Sequence, residues 1–323
     1  MCALQPGRVL RVFRPRLESL LSFAVLAPIL AAGQDLAPRS YVITPIHSNA
    51  VVLTYSFFDG NLDLQGATPI ADAKAKAHTP IVAIYHSMSL LGRSANFTAG
   101  LPYGVGNFSG TVLSSETNVY RSGLLDSVYR LSVNLVGGPA MAPPEFRKWR
   151  QKNLLGASLR VVAPTGQYDS TKLINFGSNR WGFKPEIGYS RRNGHWIFDT
   201  YFGTWFYTTN SKYFSPNRIN PTIQSQDQAP VPALEGHVSY DVKPRFWVSF
   251  DANFWFGGKT SVNGVENPAT ELRSSRLGVT SSLPINKHQS VKFSYSKGAY
   301  IRYGGDYQNV SVAWQYSWIG RPQ

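Results

Sequence analysis

The sequence contains a single cysteine, Cys2, among 323 residues. Because Cys2 lies in an N-terminal segment that we expect to be removed on export, the mature chain has no thiol for a disulfide, a zinc site or covalent catalysis. No apolar run after residue 33 reaches the roughly 20 residues that a transmembrane helix needs. Backbone pairing and side-chain packing must therefore hold the fold together.

The N-terminus has the pattern of a secretory signal peptide. A mostly apolar stretch at 20–32 follows four arginines: Arg8, Arg11, Arg14 and Arg16. We predict that residues 1–33 are this signal and that the mature chain starts near Gln34, with Leu30 and Ala32 as a competing cleavage pair. A retained helical anchor is the alternative, although the apolar run is short for one. Residues 34–50 form either a periplasmic lead-in or a partial plug.

From residue 51 onward, apolar or aromatic residues alternate with small or polar ones. In the last segment one face carries Val310, Val312, Trp314, Tyr316 and Trp318. Successive side chains of a strand point to opposite faces, so this alternation indicates strands. We predict an all-β fold for 51–323, a transmembrane antiparallel up-and-down β-barrel of about twelve strands with one short periplasmic helix. A soluble secreted β-sandwich is the alternative.

The connections between the predicted strands favour the barrel. Short turns, such as the one at Asn193 and Gly194, alternate with long connections predicted at 59–79, 113–123, 165–180, 208–231, 258–272 and 299–307. Outer-membrane barrels have short periplasmic turns and long external loops. Residues 137–152 break the rule, and their prolines, acid and bases predict a short amphipathic helix. Phe146 and Trp149 would place it against the inner leaflet or in the barrel mouth.

Charged residues fall on the face opposite the apolar stripes. Those that we predict to line the lumen are Asp126, Arg130, Arg160, Lys184 and Glu186. A charge facing hydrocarbon costs about 2 to 4 kcal/mol at the bilayer midplane, so these positions require a wet or mutually paired interior. They form either an ion-paired filling or a polar path for a solute.

The net charge of +14 does not indicate nucleic acid as a partner. Loss of the signal leaves 28 basic and 17 acidic residues, or +11, and the basic residues are scattered without a clustered patch. We expect outer-membrane lipids as partners instead. The six histidines are dispersed, so we predict no metal and no cofactor. His47 and His86 each precede a serine, but adjacent strand residues face opposite ways, so we predict no enzymatic activity.

Several segments resemble a family of exported proteins named for a meta-pathway of phenol degradation. The resemblance rests on 163–169, 172–175, 179–181 and 183–186, and is strengthened by 123–126, 132–135 and 314–318. It covers most of the mature chain. It implies an outer-membrane β-barrel transporter, distantly similar to channels for long-chain fatty acids, and it carries over no catalytic residues.

The matching segments at 163–169, 172–175 and 179–181 fall mainly in the predicted loop 165–180, which could fold inward and gate a pore. An ordered external loop with no transport role is the alternative. We predict solute-binding or gating roles for Tyr168, Asp169, Lys172, Asn175, Arg180 and Trp181. The predicted function is diffusion of small hydrophobic or aromatic molecules across the outer membrane of a Gram-negative bacterium. The alternative is a closed barrel with a structural or surface-interaction role. The solute and the oligomeric state stay open at this point.

Overall fold

The computed structural model of the protein describes residues 36–63, 70–112, 115–214 and 224–320. The predicted signal peptide at 1–33 lies outside the described residues. Within them, no helix is both long and apolar enough to cross a membrane.

Most of the chain forms strands, which we number in chain order. They are β1 (Ser48–Asp63), β2 (Ile70–Leu90), β3 (Arg93–Val112), β4 (Ser115–Leu124), β5 (Ser127–Val136), β6 (Asn153–Ala163), β7 (Gly182–Asn193), β8 (Trp196–Tyr207), β9 (Asn210–Tyr213), β10 (Gln224–Gln228), β11 (Val231–Lys243), β12 (Phe246–Gly257), β13 (Thr260–Val262), β14 (Val265–Asn267), β15 (Leu272–Pro284), β16 (Gln289–Ile301) and β17 (Gly304–Ile319). A short helix, α1 (Pro143–Lys148), lies between β5 and β6.

The main sheet closes on itself as a twelve-position antiparallel barrel. β4 and β5 share one position beside β3, and β1 pairs with β17 from Ser48 opposite Ile319 to Asp63 opposite Gly304. The other positions are β2, β3, β6, β7, β8, β11, β12, β15 and β16. The predicted all-β barrel of about twelve strands is confirmed. The short strands β9, β10, β13 and β14 form a separate small sheet from the long connections.

The two faces of the wall differ as the alternation predicts. Phe250 on β12 is 53% exposed on the outside, whereas Asp251, the next residue, is fully buried on the inside. The outer face carries many exposed apolar side chains and includes a shallow depression beside Phe250, Phe293 and Val310. In a membrane protein this surface meets lipid.

Three connections predicted to be long loops are largely strands. β1 and β2 continue to Asp63 and from Ile70, and β4 occupies most of 113–123. In β2, Ala73, Ala75 and Ala77 are buried while the residues between them are exposed. Alanine and lysine are depleted in strands, so their alternation is a weak sequence signal. β16 and β17 likewise leave only two residues of the predicted loop at 299–307 outside a strand.

Helix α1 forms where the sequence predicts it. The Glu145 carboxylate accepts a hydrogen bond of 3.1 Å from the backbone N–H of Ala142, which caps the first turn. Phe146 and Trp149 pack against a buried cluster of Ile43, Met141 and Leu154. The helix therefore packs onto the end of the barrel that carries the short turns, which corresponds to its mouth rather than to the leaflet.

Candidate functional site

The middle of the barrel interior contains charged side chains that pair with one another. Lys184 Nζ lies 2.7 Å from Glu235 Oε1 and 2.8 Å from Glu186 Oε2. Arg130 Nη2 lies 3.6 Å from Glu186 Oε1. We call these four residues the central ion cluster. Pairing offsets the desolvation of each charge, which explains how the wall tolerates them.

A polar network continues from this cluster along β11 and β12. His237 Nδ1 lies 2.8 Å from Asp251 Oδ1, and its Nε2 lies 3.6 Å from Glu235 Oε2. The hydroxyls of Ser249 and Thr280 each donate to Asp251 at 2.6 Å. This side of the interior is a packed filling, because its charges are satisfied by one another and by hydroxyl groups.

Residues 36–47 contact the inner wall before β1 begins. Tyr41 is fully buried, and its hydroxyl lies 2.9 Å from Ser158 Oγ and 3.0 Å from Glu186 Oε1. The Arg130 guanidinium lies 4.9 Å from the centre of the Tyr41 ring. The segment is therefore joined to the central ion cluster by hydrogen bonds and a cation–π contact.

Two glycines of the wall make room for the Tyr41 ring. Gly156 on β6 and Gly188 on β7 are direct cross-strand partners. A Cβ atom added at Gly156 would lie 2.3 Å from the nearest ring atom of Tyr41, and one at Gly188 would lie 2.0 Å away. Both distances are far below van der Waals contact, so the wall at this point accommodates the ring only because it lacks side chains.

Further contacts hold the same segment at the short-turn end of the barrel. Arg39 Nη1 lies 2.7 Å from Asp241 Oδ1, and the backbone N–H of Arg39 donates to Asp199 Oδ2 at 3.1 Å. Ile43 packs in the cluster that α1 covers. The segment and the helix together occupy this mouth.

At the other end, Asp126 orders the connection between β6 and β7. Asp126 lies in the two-residue break between β4 and β5. Its Oδ1 accepts a hydrogen bond of 2.9 Å from the N–H of Gly166. Its Oδ2 accepts hydrogen bonds of 2.8 Å from the N–H and 2.5 Å from the hydroxyl of Ser178. Three hydrogen bonds to one carboxylate fix both sides of the loop.

The residues at the tip of this loop bond mainly to one another. Lys172 Nζ lies 3.1 Å from Asp169 Oδ2, and the Asn175 amide donates to the carbonyls of both residues. Hydrogen bonds from Thr171 hold the pKa of Asp169 down at about 2. The Tyr168 hydroxyl donates a hydrogen bond of 3.0 Å to the carbonyl of Lys212, and burial raises the pKa of this hydroxyl. The tip is thus a structural frame.

A chamber of about 540 Å³ lies inside the barrel and extends to this loop. Its apolar lining includes Leu36, Phe58, Phe176, Trp205 and Tyr307. Its charged lining consists of Arg130, Arg160, Arg180, Arg276, Lys292 and Asp126. We call this space the upper chamber. It is large enough for a small organic molecule and combines apolar walls with polar groups, as ligand sites do.

The predicted site residues other than Trp181 fall into three groups, and Arg130 belongs to the first two. Asp126, Arg130, Arg160 and Arg180 line the upper chamber. Lys184 and Glu186 belong to the central ion cluster. Tyr168, Asp169, Lys172 and Asn175 form the loop frame and are absent from the described chamber lining.

The structure places Trp181, one of the residues predicted to bind the solute or gate the pore, outside the lining of the upper chamber. Its side chain is 44% exposed and stacks on Phe183, with ring centroids 6.2 Å apart. Gly182 lines the chamber, so its neighbours in the strand face outward. Trp181 is an aromatic of the outer surface, of the kind found at headgroup level.

The chamber residues that sequence reasoning missed include Phe176, Ser178, Tyr207 and Tyr307. Phe176 and Ser178 lie within the predicted gating loop, between the predicted residues Asn175 and Arg180. Tyr207 follows Trp205 by two positions, so the alternation of β8 was the signal that could have found it.

The histidine–serine pairs do not form a catalytic arrangement. His86 Nδ1 lies 2.7 Å from Asn49 Oδ1, whereas the Ser87 hydroxyl donates to the carbonyl of Pro45 at 2.5 Å. The Ser48 hydroxyl also donates to Pro45. In the described part of the chain, no three His, Cys, Asp or Glu side chains are grouped to hold a metal ion.

A closed barrel with an apolar outer wall and a charged interior defines the class. It is the fold of outer-membrane β-barrels of Gram-negative bacteria, which confirms the predicted localisation at the level of the fold. A family profile described as "Putative MetA-pathway of phenol degradation" matches residues 45–311. The chain belongs to this family.

A solved outer-membrane channel shows the same fold. A crystal structure of an outer-membrane channel from Pseudomonas putida F1 superposes with a TM-score of 0.71 at 16% identity, covering 88% of this chain and 100% of that one. The transport unit of the autotransporter AIDA-I from Escherichia coli matches at a TM-score of 0.48 and 12% identity, over 91% and 95% of the two chains. Curated protein sequences give no match.

Proposed function

We propose that this protein is a channel that lets small hydrophobic or aromatic molecules diffuse across the outer membrane, without enzymatic activity. The observation that carries the proposal is the upper chamber, an apolar and charged cavity of about 540 Å³ inside a closed barrel. The membership of the family and the likeness to an outer-membrane channel of known structure support it.

A specific observation favours the closed barrel as a second candidate. Residues 36–47 and α1 occupy the short-turn mouth, and Tyr41 is hydrogen-bonded to the wall at two points. We propose that this segment is a partial plug, so passage requires it to move. If it never moves, the barrel serves only as a structural or surface-interaction protein.

Conductance in planar bilayers separates the two candidates. We expect the wild-type protein to conduct KCl and a variant that lacks residues 167–177 to conduct more, because that deletion removes Phe176 from the chamber wall. Heat-modifiable migration in gels shows that each variant is folded. If neither protein conducts while both are folded, the channel proposal is refuted in favour of the closed barrel.

A further inference from the structure

The charges of the upper chamber are strongly unbalanced. Its lining has five cationic side chains, Arg130, Arg160, Arg180, Arg276 and Lys292, and one carboxylate, that of Asp126. Asp126 already accepts three hydrogen bonds from the loop between β6 and β7. With five cations against one carboxylate, the chamber lining carries a net positive charge, and a low-dielectric wall strengthens the field that this charge produces.

Two of these cations stand directly opposite each other. Arg130 on β5 and Arg160 on β6 are cross-strand partners, and both line the chamber. Like charges in this position destabilise a sheet. Arg130 also meets Glu186, at 3.6 Å. An anion in the chamber would lower the mutual repulsion of the two arginines.

Buried donors without partners mark one wall of the chamber. Arg180 is 3% exposed and Trp205 is 1% exposed. Among the described residues, Arg180 Nη1, Trp205 Nε1 and the Tyr207 hydroxyl have no hydrogen-bond partner. A buried donor without a partner costs free energy, so an acceptor supplied by a ligand would be stabilising at this wall. The oxygens of a carboxylate are suited to this role because they only accept.

Aromatic rings lie next to the same donors. The Arg180 guanidinium lies 4.3 Å from the centre of the Tyr207 ring, and the Arg276 guanidinium lies 4.2 Å from that of Tyr307. Trp205 is nearly parallel to Tyr207, with ring centroids 6.0 Å apart. Flat apolar surfaces and a focused positive charge therefore occur within one cavity.

We propose that the upper chamber selects small aromatic carboxylates over aromatic cations and over carboxylates that lack a ring. The inference deepens the proposed channel function, since it names the class of solute. The carboxylate binds among the arginines and the unsatisfied donors, and the ring packs between the aromatic side chains.

Calorimetry on the folded, detergent-purified protein tests the inference without requiring passage. The probes are benzoate, acetate and benzylammonium chloride, each corrected for heat in protein-free micelles. We expect benzoate to bind at least about tenfold more tightly than either other probe, because only benzoate uses both the charge and the rings. Equal binding of benzylammonium, equal binding of acetate, or no binding of benzoate would each overturn the proposal.

A charge variant locates the binding in the chamber. Lys292→Gln removes a cation of the chamber lining, and we expect it to weaken benzoate binding about threefold or more. Lys287→Gln removes the same charge from an exposed turn and should leave the affinity unchanged. Lys292→Arg keeps the charge and should retain binding. Equal affinities for Lys292→Gln and Lys287→Gln would overturn the placement.

Bilayer recordings distinguish failure of this inference from failure of the channel proposal. With a gradient of sodium benzoate, the reversal potential should show benzoate to be about tenfold more permeant than benzylammonium measured in the same way. If the protein conducts KCl but prefers benzylammonium, the channel proposal stands and the proposed selectivity is overturned. If it conducts nothing yet binds benzoate, the proposed selectivity stands and the channel proposal is refuted.

Discussion

Replacement of Gly188 by alanine should expel the Tyr41 ring from the wall. Gly188 has no unusual backbone angle, so alanine is compatible with the strand itself. Its methyl group, however, would lie 2.0 Å from a Tyr41 ring atom. Ordinary van der Waals contact begins at 3.4 Å, so the ring must retreat by about 1.4 Å. The wall here is formed by β-strand backbone, which does not yield easily.

Two contributions set the expected loss of stability of the seated form, in which residues 36–47 contact the inner wall. Overpacking of a well-packed site costs about 1 to 3 kcal/mol. A retreat of the ring also stretches the hydrogen bonds of the Tyr41 hydroxyl, now 2.9 Å to Ser158 and 3.0 Å to Glu186. A net hydrogen bond contributes about 1 kcal/mol. We therefore expect the seated form of the segment to weaken by about 3 kcal/mol, or roughly a hundredfold in population.

The assay measures how often residues 36–47 leave the wall. Ala37→Cys introduces a thiol into a mature chain that we predict to have none, and the rate of maleimide labelling reports its exposure. We expect Gly188→Ala to label faster and to open more often in bilayers. Gly100→Ala is the matched control, because its Cβ would meet Ala83 at an ordinary 3.7 Å.

Two results would refute this reasoning. The first is equal labelling of the Gly188→Ala and Gly100→Ala proteins, since only the former should collide with the ring. The second is faster labelling caused by Gly188→Ala in a protein that also carries Tyr41→Ala. The ring is absent there, so Gly188→Ala should not change the labelling rate further. If it still does, the substitution does not act through the Tyr41 ring.

Three further predictions concern the loop and the outer wall. Asp126→Ala removes the acceptor of three hydrogen bonds, so trypsin should cut after Lys172 about tenfold faster, whereas Asp59→Ala, which removes a surface pair with Lys76, should not change the rate. The pKa of Asp169 lies at about 2, below its ordinary value of 3.8, so the stabilisation it gives the loop is complete above the ordinary value and is lost only as the pH falls through 2. Conductance of the wild type and of Asp169→Asn should therefore show the same pH profile between pH 5 and 8, and a difference in shape would contradict this assignment. Trp181→Ala should leave conductance unchanged because the side chain faces outward, while Trp205→Ala should alter it, and the reverse pattern would contradict the register of β7.

The barrel could be predicted from the sequence because its main signal is local. A residue and its second neighbour share a face, so the stripe from Val310 to Trp318 defines the outside without knowledge of the partner strands. The same rule places Asp126, Arg130 and Arg160 inside. The rule also holds in β2, but that part of the strand could not be recognised because its alternating alanine and lysine have little strand preference.

The composition of the site could not be predicted, because it depends on distances between strands far apart in the chain. Arg180 meets Gln228 and Tyr207 rather than the loop acids near it in sequence. The position of Tyr41 is similar, since the glycines that admit it lie more than a hundred residues later. Glycine in a strand signals a close approach, but the sequence does not state what approaches.

Tyr41 links the two parts of the interior, and this gives the proposed plug a means of responding to a solute. Its hydroxyl bonds to Glu186, and its ring contacts Arg130, which also lines the upper chamber. An anion that draws Arg130 toward the chamber would remove a cation from beside both the ring and the carboxylate. Only a solute that binds the displaced state more tightly can shift the equilibrium. We therefore expect benzoate, but not benzylammonium, to accelerate maleimide labelling of the Ala37→Cys protein. Equal labelling rates with the two probes would show that solute binding in the upper chamber is not coupled to movement of the plug.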